Sequence, residues 1–227
     1  LIVEELATNL IGVKIASEKI NKLKAKQMPI SNEEVALFKE NLPFKLTNAQ
    51  ERTIKEISDD ISLSKPMRRL VQGDVGSGKT VVAAVSMYIS AKNNTQSVLL
   101  CPTEVLAEQH FKNFSAWFKN SNIKIELLTG KMPISKRRGI YQDLEDGVID
   151  ILIGTHAVFQ DKVKMKNLGL VVVDEQQRFG VKQRFDLVKK SSDQIMPHQL
   201  FMTATPIPRT LAMTIFADLE TSKIDEL

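Results

Sequence analysis

The chain has 227 residues, 43% of them hydrophobic, with a formal net charge of +4 and a pI near 9.0. That length and apolar share suffice for a substantial core, and no apolar run approaches the roughly 20 residues that a bilayer-spanning helix needs. One cysteine, Cys101, excludes an internal disulfide framework and points to a reducing, cytoplasmic setting, while the mild basic excess permits a nucleic-acid partner without establishing one.

Leu1 stands where a starting Met is expected, which reads as a piece of a longer chain with no secretory leader. Residues 1–43 read as a helical arm: Ile2, Leu6, Leu10 and Val13 recur at helical spacing among Lys and Glu. A second, short helix follows, opened by Ser31 as N-cap with Glu34 three residues on, and stopped by Pro43. From residue 44 to 227 short apolar runs alternate with amphipathic stretches. Strands are expected at 68–72, 97–101, 124–128, 150–154, 168–174 and 199–203, and helices at 79–91, 103–119, 135–145, 181–190 and 208–217. The strands are continuously apolar rather than alternating, as when helices cover both faces of a parallel sheet. The expectation is an α/β domain, a mostly parallel sheet with helices on both faces, preceded by the helical arm. Basic clusters at 135–139, 161–166 and 181–184 read as solvated faces, and His198 as a surface or loop residue.

The stretch "GDVGSGKT" satisfies G-x-x-x-x-G-K-[ST] between an expected strand and an expected helix. Its residues Gly73, Asp74, Val75, Gly76, Ser77, Gly78, Lys79 and Thr80 are the candidate cradle for ATP. Glycines let successive N–H groups converge on an anion, and the helix beginning near Lys79 adds the positive end of its dipole. Lys79 is suited to the β- and γ-phosphates and the Thr80 hydroxyl to Mg²⁺. Downstream, "LVVVDEQQ" sets Asp174 and Glu175 side by side at the end of an apolar strand. Adjacent carboxylates are costly there unless a cation or a proton transfer compensates. Asp174 is assigned to the metal and Glu175 to the attacking water. The three histidines lie too far apart in sequence to read as a metal site, and Trp117 with Phe114 and Phe118 reads as core.

Taken together, "GDVGSGKT", "CPTEVLAEQH", "LLTGK", "GTHAVFQ", "DEQQRFG" and "TATPIPRT" follow the order and spacing of superfamily-two helicase motifs. Within that superfamily the set resembles the RecG family of bacterial ATP-dependent DNA helicases, over roughly residues 44–227. Transcription-repair coupling factors, which share "RFG" and "TATPIPRT", are the alternative; a nucleotide-gated binding module without turnover is the alternative of another class. The resemblance implies a monomeric motor that remodels stalled forks and Holliday junctions, using ATP and Mg²⁺ and holding branched DNA by its backbone. It implies that Gln50 reads the adenine edge and that Phe44 either packs on the base or joins the core. DNA phosphates are assigned to Thr103, Glu104, Gln109, Thr129, Gly130, Gly154, Thr155 and His156, and coupling of the two sites to Thr203, Ala204 and Thr205. It adds Gln177 to the catalytic group at the place where the family carries histidine in "DEQH". It also implies that residues 44–227 form a RecA-like P-loop NTPase domain, with a second RecA-like domain supplying an arginine finger and a DNA-binding domain ahead of the arm.

Overall fold

The computed structural model describes residues 23–175, 195–204 and 219–226. Within them lie five helices: α1 (Asn32–Glu40), α2 (Asn48–Ile61), α3 (Lys79–Lys92), α4 (Glu104–Trp117) and α5 (Ile134–Glu145). Seven strands form one sheet: β1 (Arg68–Gly73), β2 (Gln96–Leu100), β3 (Ile125–Leu128), β4 (Ile151–Gly154), β5 (Leu168–Val173), β6 (His198–Thr203) and β7 (Glu220–Ile224). Their order is β3-β4-β2-β5-β6-β1-β7, and every pairing is parallel.

The six expected strands are all present, each within a residue or so of the expected bounds. Their unbroken apolarity has a simple cause: successive residues serve two cores. In β5, Leu170 and Val172 pack on one face while Val171 and Val173 pack on the other. In β2, Leu99 joins the first core and Val98 and Leu100 the second. The first core is filled by α3, whose residues Val81 to Ser90 are all buried, together with α1, α2 and α4. The second lies under α5 and the short 3₁₀ turn His156–Phe159.

Local signals account for the helix starts. Ser31 and Glu34 form the expected capping box on α1: the Ser31 hydroxyl accepts from the Glu34 N–H at 3.2 Å. Thr47 and Gln50 form a second one on α2, a helix the sequence reading did not place. β7 was not expected either. Its composition, "ETSKI", is mostly polar because it is an edge strand with only two buried residues. Arg69 explains how so polar a strand is held. Its guanidinium, buried in β1, meets Asp60 and Glu56 of α2 at 2.8 and 3.1 Å and the Ser222 hydroxyl of β7 at 2.7 Å.

The described part of the arm, residues 23–43, shares the domain's first core through Met28, Val35, Phe38 and Leu42. Phe38 stacks on Tyr88 of α3 with centroids 4.5 Å apart. His198 corrects the sequence reading: it is not a loop residue but completely buried at the start of β6. Its Nδ1 accepts from the Met67 N–H at 3.0 Å, and its Nε2 donates to the Lys26 carbonyl at 2.8 Å, pinning the arm to the sheet's amino edge. Burial pushes its pKa below the ordinary histidine value, against smaller opposing pulls from the Lys26 carbonyl and Asp60. Phe114 and Phe118 are core residues as expected, and Trp117 is half-buried beside them. The expected helices at 181–190 and 208–217 and the arm's first helix lie outside the described residues. Among the described residues, no helix is long and apolar enough to cross a membrane.

Candidate active site

Every strand from β1 to β6 ends at the same edge, so the loops after them converge, as ligand-binding loops do in open parallel sheets. The phosphate loop follows β1. Asp74, Val75 and Gly76 form its exposed apex, and the chain then dips so that Ser77 and Lys79 are buried. Gly76 and Gly78 sit at φ +89° and +82°, a left-handed region that other residues enter only at a cost. Gly78 is also the N-cap of α3, so the helix presents its first N–H groups to the loop without a capping side chain. A Cβ there would meet the Gln50 amide nitrogen at 2.2 Å.

Gln50 is therefore part of the loop's frame. Its Nε2 donates to the Ser77 carbonyl at 2.8 Å while its Oε1 accepts from the Thr47 N–H at 2.9 Å. One N–H and one lone pair of the amide remain for a base. Phe44 is 43% exposed, which removes the core alternative for this ring, and it stands edge-on to Trp117 at 5.8 Å.

Lys79 folds back on its own loop. Its ammonium donates to the Gly73 and Asp74 carbonyls at 2.6 and 2.7 Å. Burial lowers its pKa, and the nearby carboxylates of Asp174, Glu175 and Asp74 oppose that shift. The lysine and the two strand-end carboxylates thus share one electrostatic neighbourhood, although about 95 residues of sequence separate them. Thr80 is half-buried on the first turn of α3.

Asp174 and Glu175 follow β5. The Asp174 N–H donates to the Leu100 carbonyl of β2 at 2.9 Å, which fixes the turn against the sheet. Glu175 adopts φ +51°, an uncommon conformation for a side-chain-bearing residue and of the kind that gathers at active sites. Cys101, one residue beyond β2, is fully buried, and burial together with Asp174 drives its thiol pKa far up. It is an inert neutral neighbour.

One partner of Asp174 escaped the sequence reading. His110 of α4 places Nε2 3.0 Å from Asp174 Oδ2. A signal existed: Ala107, His110 and Phe114 form the buried face of α4, so His110 is a polar residue on an apolar stripe.

The loops assigned to DNA also converge. Thr103 is the N-cap of α4, its hydroxyl accepting from the Leu106 N–H at 3.3 Å. Glu104 turns toward the loop after β3, where its carboxylate pairs with Lys131 at 3.0 Å. Hydrogen bonding from Lys131 holds that carboxyl below its ordinary pKa. Thr129 and Thr155 are buried, Gly130 and His156 exposed, and Gly154 buried between neighbouring strands. Gln109 is exposed on α4, whereas the adjacent His110 is buried. Thr203 ends β6, fully buried, with Ala204 half-buried beyond it. Gln177 and Thr205 lie outside the described residues.

Residues 47–214 match the DEAD/DEAH box helicase family, which is most of the chain and includes every loop just described. The chain belongs to that family. This helicase domain is 47% identical over its whole length to the ATP-dependent DNA helicase RecG of Aquifex aeolicus, and spans 28% of that protein. Over 197 residues it is 50% identical to the RecG of Bacillus subtilis, again covering 28% of the relative. A solved structure described as RecG bound to a three-way DNA junction superposes with a TM-score of 0.84 at 38% identity. That superposition takes in 99% of this helicase domain and 30% of the solved chain.

Proposed function

We propose that this chain is the ATP-binding motor domain of a RecG-type DNA helicase, turning over ATP to drive movement on branched DNA. The observation that carries the reading is the meeting of Lys79, Asp174 and Glu175 at one sheet edge, beside a glycine loop that runs into the N-terminus of α3. The identity to RecG proteins supports the RecG reading, and nothing observed favours the coupling-factor alternative.

The site suits a magnesium nucleotide. Ser77 Oγ is buried with no hydrogen-bond partner, the lysine is parked on carbonyls it can leave, and glycines line the loop. Thr80 and Asp174 would hold Mg²⁺ together with the phosphates and water. The bound ion supplies charge neutralisation and orientation of the phosphates.

The chain's own residues do the rest. Loop amides and the α3 N-terminus bind the phosphates, and Lys79 swings from the Gly73 and Asp74 carbonyls to the γ-phosphate, where it meets the charge that develops in transfer. Glu175 orients a water and accepts its proton. Gln50 holds the loop's shape and offers its remaining donor and acceptor to adenine. Thr103, Thr129, Gly130, Thr155 and His156 track a sugar-phosphate backbone without reading bases, and Thr203 relays between the sites. Glu104 serves by bracing Lys131 rather than by touching phosphate. The protein works as a monomer in the cytoplasm.

The test uses the full-length protein. Lys79→Ala should lower phosphate release on the order of a thousandfold, and Glu175→Gln should keep ATP binding while losing turnover. Near-normal phosphate release by either folded variant refutes the assignment. Absence of turnover in the wild type leaves a nucleotide-gated binding module.

A further inference from the structure

His110 spends a buried polar side chain on a single contact. Its Nε2 meets Asp174 Oδ2 at 3.0 Å, and its Nδ1 is buried with no hydrogen-bond partner. Both residues are less than a tenth exposed. Phe114 holds the ring edge-on, with centroids 6.4 Å apart. Packing alone does not call for this residue, since a leucine or phenylalanine would fill the space without stranding a buried nitrogen. The hydrogen bond to Asp174 is what the histidine adds.

That bond joins two elements with different tasks. Asp174 stands at the end of β5, and its main chain is tied to Leu100 of the neighbouring strand β2. α4 begins directly after β2, with Thr103 as its cap. His110 is seven residues on, roughly 10 Å along a rigid helix. Asp174 is therefore held at two points, its backbone by the sheet and its side chain by α4. A displacement of α4 relative to the sheet moves His110 and must turn or release the carboxylate. One lone pair of Oδ2 is taken by the imidazole, and the carboxylate's other lone pairs remain for Mg²⁺ or its waters.

We propose that His110 is a positioning residue that couples occupancy of the α4 N-terminus to the orientation of the Asp174 carboxylate. The inference rests on the reading of α4 as a DNA-facing helix and of Asp174 as the carboxylate serving Mg²⁺. DNA on the first turn of α4 then alters how well the protein takes Mg-nucleotide, by way of one side chain. By linkage, Mg-nucleotide alters DNA affinity by the same factor.

The experiment compares wild type, His110→Leu and His110→Gln in the full-length protein. Leucine keeps the packing and removes the donor; glutamine keeps a donor at about the reach of Nε2. The readout is the Mg²⁺ concentration that half-saturates binding of a fluorescent non-hydrolysable ATP analogue, with and without a three-way-junction oligonucleotide. Thermal melting by circular dichroism checks folding. The leucine variant should need several-fold more Mg²⁺ and lose most of the shift that DNA produces, and glutamine should restore most of both. If the leucine protein does not fold, His110→Asn replaces it, because its amide falls short of Asp174. A leucine or asparagine variant with the wild-type Mg²⁺ dependence and the wild-type DNA shift overturns the proposal. Equal impairment by leucine and glutamine also overturns it, since that marks a packing role. A wild-type protein whose Mg²⁺ dependence ignores DNA overturns the reading of α4 itself, and the coupling with it.

Discussion

Gly78→Ala tests how the phosphate loop is built. The backbone there sits at φ +82°, and a Cβ would lie 2.2 Å from Gln50 Nε2. Left-handed backbone costs a non-glycine residue about 1–2 kcal/mol. Relieving the overlap must push the Gln50 amide away and break its 2.8 Å bond to the Ser77 carbonyl, a further ~1 kcal/mol. The total is about 2–3 kcal/mol. Gly76 supplies the internal control, because its φ is +89° but no atom lies within 4 Å of its added Cβ. Gly76→Ala should therefore cost the backbone share alone, about 1–2 kcal/mol. The assay is urea denaturation of the 227-residue chain, followed by circular dichroism, as a double-mutant cycle with Gln50→Ala. Without Gln50 the Gly78→Ala cost should shrink to that of Gly76→Ala. Equal costs at the two glycines, or strict additivity with Gln50→Ala, would refute the claim that Gln50 frames the loop.

Acid should weaken the fold through His198. Its folded pKa is lowered, so between that value and the unfolded value near 6.5 the unfolded chain holds a proton that the native state refuses. The stability it contributes is present above about pH 6.5 and is lost as the pH falls, at up to ~1.4 kcal/mol per pH unit. His198→Gln keeps an acceptor for Met67 and a donor for Lys26 and should flatten that slope in urea midpoints measured from pH 5 to 8; an unchanged slope would place the titration elsewhere. Arg69→Met should cost about 2–3 kcal/mol, because Glu56 and Asp60 lose their cation while keeping some water contact; a midpoint shift under 0.5 kcal/mol would show the cluster to be ornamental. The 227-residue chain alone should bind Mg-nucleotide weakly and unwind no fork, as expected if movement needs the second motor domain that the family resemblance implies; the RecG relatives it matches are more than three times longer, and robust unwinding by it as a monomer would contradict that mechanism.

The proposed nucleotide half of the site could be picked out in the sequence because its constraints are local. A phosphate loop needs glycines, a lysine and a hydroxyl at fixed spacing between strand and helix, and the sequence shows all of them. Asp174 and Glu175 stood out for a similar reason: charge at the end of a buried strand is costly and must be answered. What the sequence hid was the second partner of each group. Nothing near Gln50 says that its amide reaches the Ser77 carbonyl, and nothing near His110 says that β5 delivers Asp174 to it. His198 was misplaced because polar residues at a strand's start usually face water; here the arm covers it. β7 was missed because its stability comes from the Arg69 cluster and from backbone pairing, not from its own apolar residues.

The position of β1 has a consequence for how the chain is made. Leu70 pairs with Phe201 on one side and Thr221 on the other, so the strand that carries the phosphate loop is synthesised early and completed late. At about 5–20 residues per second, the interval between its emergence and the arrival of β6 is on the order of 10 s. Through that interval "RRLVQ" has two open edges and only the helices α2 and α3 to shelter it. A nascent chain arrested before residue 198 holds every phosphate-loop residue and the paired strands β3-β4-β2-β5, yet leaves β1 without either neighbour, so nucleotide affinity becomes a marker that β6 has joined the sheet.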